Sequence, residues 1–145
     1  MANATADRRV FTGAAAPRVG VVGAGGLGVH HVRILRDLAG DRFAGFVDEN
    51  PARAAEVAAQ LGVMAFPSLD ALLSVVDAVS IVVPTTSHHA VASAALRAGK
   101  HVFIEKPFTV TLDEADDLIS RAAAAVYSPV RAIRCRRRPA MQSGR

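Results

Sequence analysis

Gly23-Ala24-Gly25-Gly26-Leu27-Gly28 has the spacing of a turn that cradles phosphates. In such a turn Gly23 permits the tight bend, Gly25 has no side chain to block a pyrophosphate, and Gly28 lets the following helix lie close to the preceding strand. The free N–H groups and positive dipole end of that helix then face the phosphates. Asp48 stands 20 residues beyond Gly28. A carboxylate there accepts hydrogen bonds from both ribose hydroxyls and repels a 2′-phosphate. No Arg or Lys follows it until Arg53, which favours NAD over NADP. The plainer alternatives are a glycine-rich connection that binds nothing and an ordinary acid in a turn.

Two further clusters carry polar chemistry. Pro84-Thr85-Thr86-Ser87-His88-His89 follows an apolar run. Thr85 and Thr86 can exchange hydrogen bonds with a ligand there, and one histidine could stand near a nicotinamide. Equally, Ser87 caps the next helix and the histidines fill its first turn; the two roles are compatible. Glu105-Lys106-Pro107 closes another apolar run. A lysine at that edge could hydrogen-bond a reacting hydroxyl or carbonyl; an exposed Glu–Lys pair is the alternative. His30 and His31 read as surface or packing residues. Neither a Cys/His cluster with metal spacing nor a nucleophile–base arrangement is visible, so no metal is expected.

These residues need elements to hold them. Arg18–Val22, Phe43–Val47, Val63–Phe66, Ala78–Val83 and His101–Ile104 are short apolar runs that read as five strands. Between them lie helical patterns. The first has Leu27, Ile34, Leu35 and Leu38 at helical spacing and ends at Gly40. The second is capped by Asn50, opened by Pro51 and closed by Gly62, with Ala54, Val57, Ala58 and Leu61 inward. Ser68 caps a brief helix through Leu73. His88–Ala98 is helical, with Val91, Ala94, Ala95 and Ala98 inward. Thr111 and Glu114 form a capping box for a helix that buries Ala115, Leu118, Ile119 and Ala122. Apolar strands alternating with helices imply parallel pairing with both faces covered, hence an α/β, doubly wound parallel sheet of the Rossmann type. In that topology all the clusters above lie at the carboxyl ends of the strands.

Composition sets the limits. The chain has 145 residues, 51% apolar, with no Trp and one Tyr, so the core is aliphatic. One domain is expected, over residues 18–125, between a disordered lead at 1–17 and a disordered basic tail at 126–145. No apolar run reaches the ~20 residues of a membrane span, so no membrane association is expected. Arg8-Arg9 lacks the apolar stretch an export signal needs, and the lone Cys135 suits a reducing compartment, which points to a cytoplasmic location. The net charge of +4 is uneven: the first 125 residues carry 11 basic and 13 acidic side chains, the last 20 carry six arginines and no acid. Nucleic-acid binding is therefore not expected of the folded body.

Taken together, Gly23–Gly28, Asp48, Pro84-Thr85-x-x-His88, and Ala98-Gly99-Lys100-His101-Val102 running into Glu105-Lys106-Pro107 resemble the Gfo/Idh/MocA oxidoreductases over about residues 18–125. The resemblance implies hydride transfer between NAD(P) and sugars, sugar nucleotides or cyclitols. It implies that Lys106 is catalytic, beside substrate and nicotinamide, and that His88 lines the cofactor site. It also implies a second domain holding the substrate pocket, a proton-transferring histidine and the oligomer interface. Where that domain should begin, Tyr127-Ser128-Pro129 and the arginine tail depart from the pattern. The expectation is a truncated or frame-shifted chain, inactive alone. The alternative is a non-catalytic dinucleotide-binding module that pairs with a separate substrate-domain chain.

Overall fold

The computed structural model describes residues 16–125; the readings for 126–145, and for 1–17 except its last two residues, fall outside them. Four strands, β1 (Val19–Val22), β2 (Phe43–Val47), β3 (Ala78–Ile81) and β4 (His101–Ile104), form one parallel sheet in the order β2-β1-β3-β4. Five α-helices, and a short 3-10 turn at Gly40–Arg42, connect and flank them: α1 (Gly28–Ala39), α2 (Pro51–Leu61), α3 (Leu69–Leu73), α4 (Thr85–Arg97) and α5 (Leu112–Ala125). Among the described residues no helix is long and apolar enough to cross a membrane.

Alternation along the strands sends side chains to two helical layers. Val21 and Phe46 pack with Val32, Ala54 and Val57 of α1 and α2. Val22, Val47, Val79 and Ile81 pack with Leu72 and Leu73 of α3, Ala92, Ala95 and Leu96 of α4, and Leu118 of α5. The doubly wound α/β arrangement read from the sequence is present. Register then builds the functional edge. Val22 pairs with Val47 and Ile81, and Ile81 with Ile104. The strands therefore stop level, and Gly23, Asp48, Val82 and Glu105 begin the connections along one rim. Strand order reverses between β1 and β3, which opens a crevice there.

Several sequence expectations shift. Val63–Phe66 is not a fifth strand: Phe46 N–H donates to Met64 O (3.0 Å), Phe66 N–H to Phe46 O (2.7 Å), and Ala65 makes a single bridge. Pro67 has no N–H to continue the ladder. On α1 the buried side is Gly28, Val32 and Ala39, while Leu27 and Ile34 are 54% and 48% exposed. A Cβ on Gly28 would overlap the Gly23 carbonyl, so that contact fixes how α1 is rotated. Helix α4 begins at Thr85, not His88. Its inward side is His88, Ala92, Ala95 and Leu96, with Ala98 exposed. On α5 Leu118 is buried and Ile119 faces outward. Asn50, Gly62 (φ +64), Ser68 and the Thr111–Glu114 box serve as caps as expected.

Candidate functional site

The turn after β1 is shaped by backbone needs. Gly23 has φ +92, which L side chains rarely adopt, and its N–H donates to Val47 O at 2.8 Å. Gly28 starts α1 against the Gly23 carbonyl. Among the described residues no side chain caps α1 and its first turn holds no acid; Val29, His30 and His31 N–H donate to the Gly25 and Leu27 carbonyls, so an anion would meet the N–H groups of Gly26, Leu27 and Gly28 and the positive end of the helix dipole. Gly25 and Gly26 differ: a Cβ at either would meet no heavy atom of the described residues within 4 Å. Packing of the protein does not require glycine there.

Asp48 reaches back to this turn. Its Oδ2 accepts from Ala24 N–H at 2.7 Å and its Oδ1 from Asn50 N–H at 2.9 Å. Each carboxylate oxygen keeps a lone pair for a second donor. Arg53, in the first turn of α2, donates from Nε to Ala24 O at 2.8 Å and pairs with Glu56 at 2.9 Å. The Ala24 peptide is thus held on both sides. Sequence reasoning treated Arg53 only as the nearest cation after Asp48. Its place early in α2, where side chains lean back toward the helix start, was the signal for this second clamp.

Beside the turn lies an open cleft of about 940 Å³. Gly23, Gly25, Asp48 and Pro84 line it, together with Glu49, Phe66, Pro67, Ser68, Leu69, Val83, Ser87 and Val91. The Phe66–Leu69 wall was not foreseen; its signal was a short apolar run ending in Pro67 beside a helix cap. Ala24 is buried behind the turn, and Gly26 and Leu27 are exposed above it. Thr85 and Thr86 are the first residues of α4, so Ser87 is a helical residue and not its cap.

His88 lies in the core behind this rim. It is 1% exposed and does not line the cleft. Its Nε2 lies 2.8 Å from Val83 O and its Nδ1 3.1 Å from Phe108 O. It ties the end of β3 to the chain beyond β4. Glu105 and Lys106 stand at the neighbouring strand end, outside this cleft, with Lys106 exposed and its peptide bond to Pro107 cis. Among the described residues no three His, Cys, Asp or Glu side chains converge as a metal site would need.

This donor set fits a dinucleotide. Aliphatic and aromatic walls suit a flat base, Asp48 suits vicinal hydroxyls, and the space over Gly25 suits phosphates at a helix start.

Comparison with known proteins agrees with that chemistry. The sequence profile of the Gfo/Idh/MocA group, described as an oxidoreductase family with an NAD-binding Rossmann fold, matches residues 17–126. The chain is 56% identical over 105 residues to the UDP-N-acetylglucosamine 3-dehydrogenase of Acidithiobacillus ferrooxidans, covering 72% of this chain and 33% of that one. The solved structure of that enzyme superposes with a TM-score of 0.73 at 53% identity, over 76% of this chain and 34% of that one. An inositol 2-dehydrogenase of Leifsonia xyli is 44% identical over 101 residues, 68% of this chain and 30% of that one. The biliverdin reductase of Synechocystis, solved in complex with biliverdin and NADP+, has a TM-score of 0.66 at 32% identity, over 75% of this chain and 35% of that one. The chain spans about a third of the length of these relatives.

Proposed function

The chain belongs to the Gfo/Idh/MocA oxidoreductase family, whose NAD-binding Rossmann domain it carries, and from that premise we propose that residues 18–125 hold NAD(H) in the cleft beside Gly25. The observation that carries this reading is the empty space over Gly25, between the start of α1 and the Asp48 carboxylate. Gly25, Gly26, Leu27 and Gly28 offer backbone N–H groups to the pyrophosphate, while Gly23 and Ala24, whose N–H groups are held by Val47 O and Asp48, shape the turn beneath it. Asp48 accepts from the ribose hydroxyls with the lone pairs its backbone bonds leave free. Pro84 and Thr85, with Thr86 beside them, border the path toward the nicotinamide, and His88 supports that path from the core.

NAD is favoured over NADP. Asp48 places negative charge where a 2′-phosphate would sit, and the nearest cation, Arg53, is already committed to Ala24 O and Glu56. The bound cofactor supplies a hydride acceptor or donor. Lys106, exposed at the end of β4, donates a hydrogen bond to the oxygen of the carbon that exchanges the hydride. The substrate class is a sugar nucleotide or a cyclitol, as the names of the two sequence relatives suggest. A substrate domain must hold it, whether in the same chain or another.

The test is calorimetric titration of the 145-residue chain with NADH and NADPH. Saturable binding, tighter for NADH, is expected. Absence of binding by folded protein would overturn the proposal.

A further inference from the structure

On the α1 side of the sheet, away from the cleft, three polar side chains from three elements form a connected chain. Ser80, in β3, is 7% exposed, and its Oγ lies 2.9 Å from His31 Nδ1. His31, early in α1, places Nε2 at 3.1 Å from Glu105 Oε1. Glu105, following β4, accepts from Lys106 N–H on its other oxygen at 3.3 Å. The Phe103 ring stands against His31, with centroids 6.3 Å apart.

The chemistry of the groups fixes their roles. A carboxylate only accepts, so His31 must donate to it from Nε2. Nδ1 accepts from the Ser80 hydroxyl when the ring is neutral and donates to it when the ring is protonated; in either form Nε2 donates to Glu105. The order serine–histidine–carboxylate resembles a nucleophile triad, but Ser80 lies in mid-strand beneath α1, where no substrate carbonyl could meet its oxygen. The chain therefore orients and does not attack. Its outer end is the peptide leading into Lys106.

We propose that His31 is a positioning residue: braced by Ser80, it holds Glu105 and thereby sets the main chain at Lys106 that receives the nicotinamide half of the bound dinucleotide. The inference rests on the reading that this domain binds a nicotinamide dinucleotide. It predicts a selective effect, because only the nicotinamide end of the ligand touches the braced segment.

The experiment titrates the full 145-residue chain with NADH and with ADP-ribose, which lacks the nicotinamide. His31→Leu should weaken NADH on the order of tenfold, the effect of about one hydrogen bond to a charged group, and leave ADP-ribose nearly unchanged. His31→Gln retains an N–H donor for Glu105 and should recover most of the NADH affinity. Ser80→Ala should weaken NADH in the same direction but less. If His31→Leu does not fold, Ser80→Ala carries the comparison. Equal losses for both ligands, no loss for either, or no recovery in His31→Gln would overturn the positioning role. An unmodified chain that binds neither ligand would instead overturn the dinucleotide reading on which it stands.

Discussion

Replacing Gly25 with valine separates the phosphate site from the fold. A Cβ at Gly25 meets no atom of the described residues within 4 Å, and Gly25 does not have a positive φ. The substitution should therefore change stability by no more than about 0.5 kcal/mol, as at an unconstrained surface position. The new side chain fills the space over the turn. Each backbone hydrogen bond to a charged phosphate oxygen contributes about 1.5–3 kcal/mol. Loss of two such bonds costs about 3–6 kcal/mol, a fall of ~10²–10⁴-fold in affinity. Gly28→Ala is the contrast: its Cβ lands on the Gly23 carbonyl, so it should destabilise by about 1–3 kcal/mol. Thermal melting by circular dichroism reads stability, and NADH fluorescence titration reads binding. A folded Gly25→Val protein that binds NADH as the parent does would show that the turn is not the phosphate site. Unfolding by Gly25→Val would refute the argument from open space.

Asp48→Ser should narrow the preference for NADH over NADPH, because it removes the charge that opposes a 2′-phosphate; an unchanged ratio of dissociation constants would show that Asp48 does not set it. Burial holds His101 below its usual value of 6.5, with Asp77 opposing. The unfolded chain therefore takes up that proton first, so stability is full above about pH 6.5 and falls as pH drops toward the lower folded value. Denaturant midpoints measured from pH 7.5 to 5.5 should decline less in His101→Gln than in the parent, and equal declines would contradict the assignment. The 145-residue polypeptide by itself should form no NADH from NAD with inositols, hexoses or sugar nucleotides. Placing a substrate against the nicotinamide accounts for ~7–11 kcal/mol of such a barrier, and a lysine on an open rim cannot supply it. Turnover that disappears in Lys106→Ala would show that a substrate site assembles without a further domain.

Most of the architecture was legible because its signals are local. Asn50, Gly62, Ser68 and the Thr111–Glu114 box announce helix ends through backbone chemistry that neighbours do not alter. Continuous apolar strands announced burial on both faces. What the sequence hid depends on how elements meet. Leu27 and Ile34 are at helical spacing but face outward, because Gly28 against the Gly23 carbonyl sets the rotation of α1. His88 reads as the first residue of a helix, yet α4 starts three residues earlier and carries it into the core between two carbonyls. The glycine run, Asp48 and Pro84 could be gathered from strand-end logic alone. The Arg53 clamp and the Ser80–His31–Glu105 chain join residues far apart in sequence, and the Phe66–Leu69 wall meets a distant turn; local signals mark Arg53 and the wall, but no spacing rule names their partners.

The central claim, that NADH lies across the turn beside Gly25, is tested most directly by mapping amide resonances during a titration of the isotope-labelled chain with NADH. The account predicts saturable shifts at Gly23 to Gly28, Asp48 to Asn50 and Phe66 to Leu69, excluding Pro67, with smaller ones at Glu105 and Lys106 and none along the outer side of α5. Shifts absent from the glycine turn, or confined to α5, would contradict it.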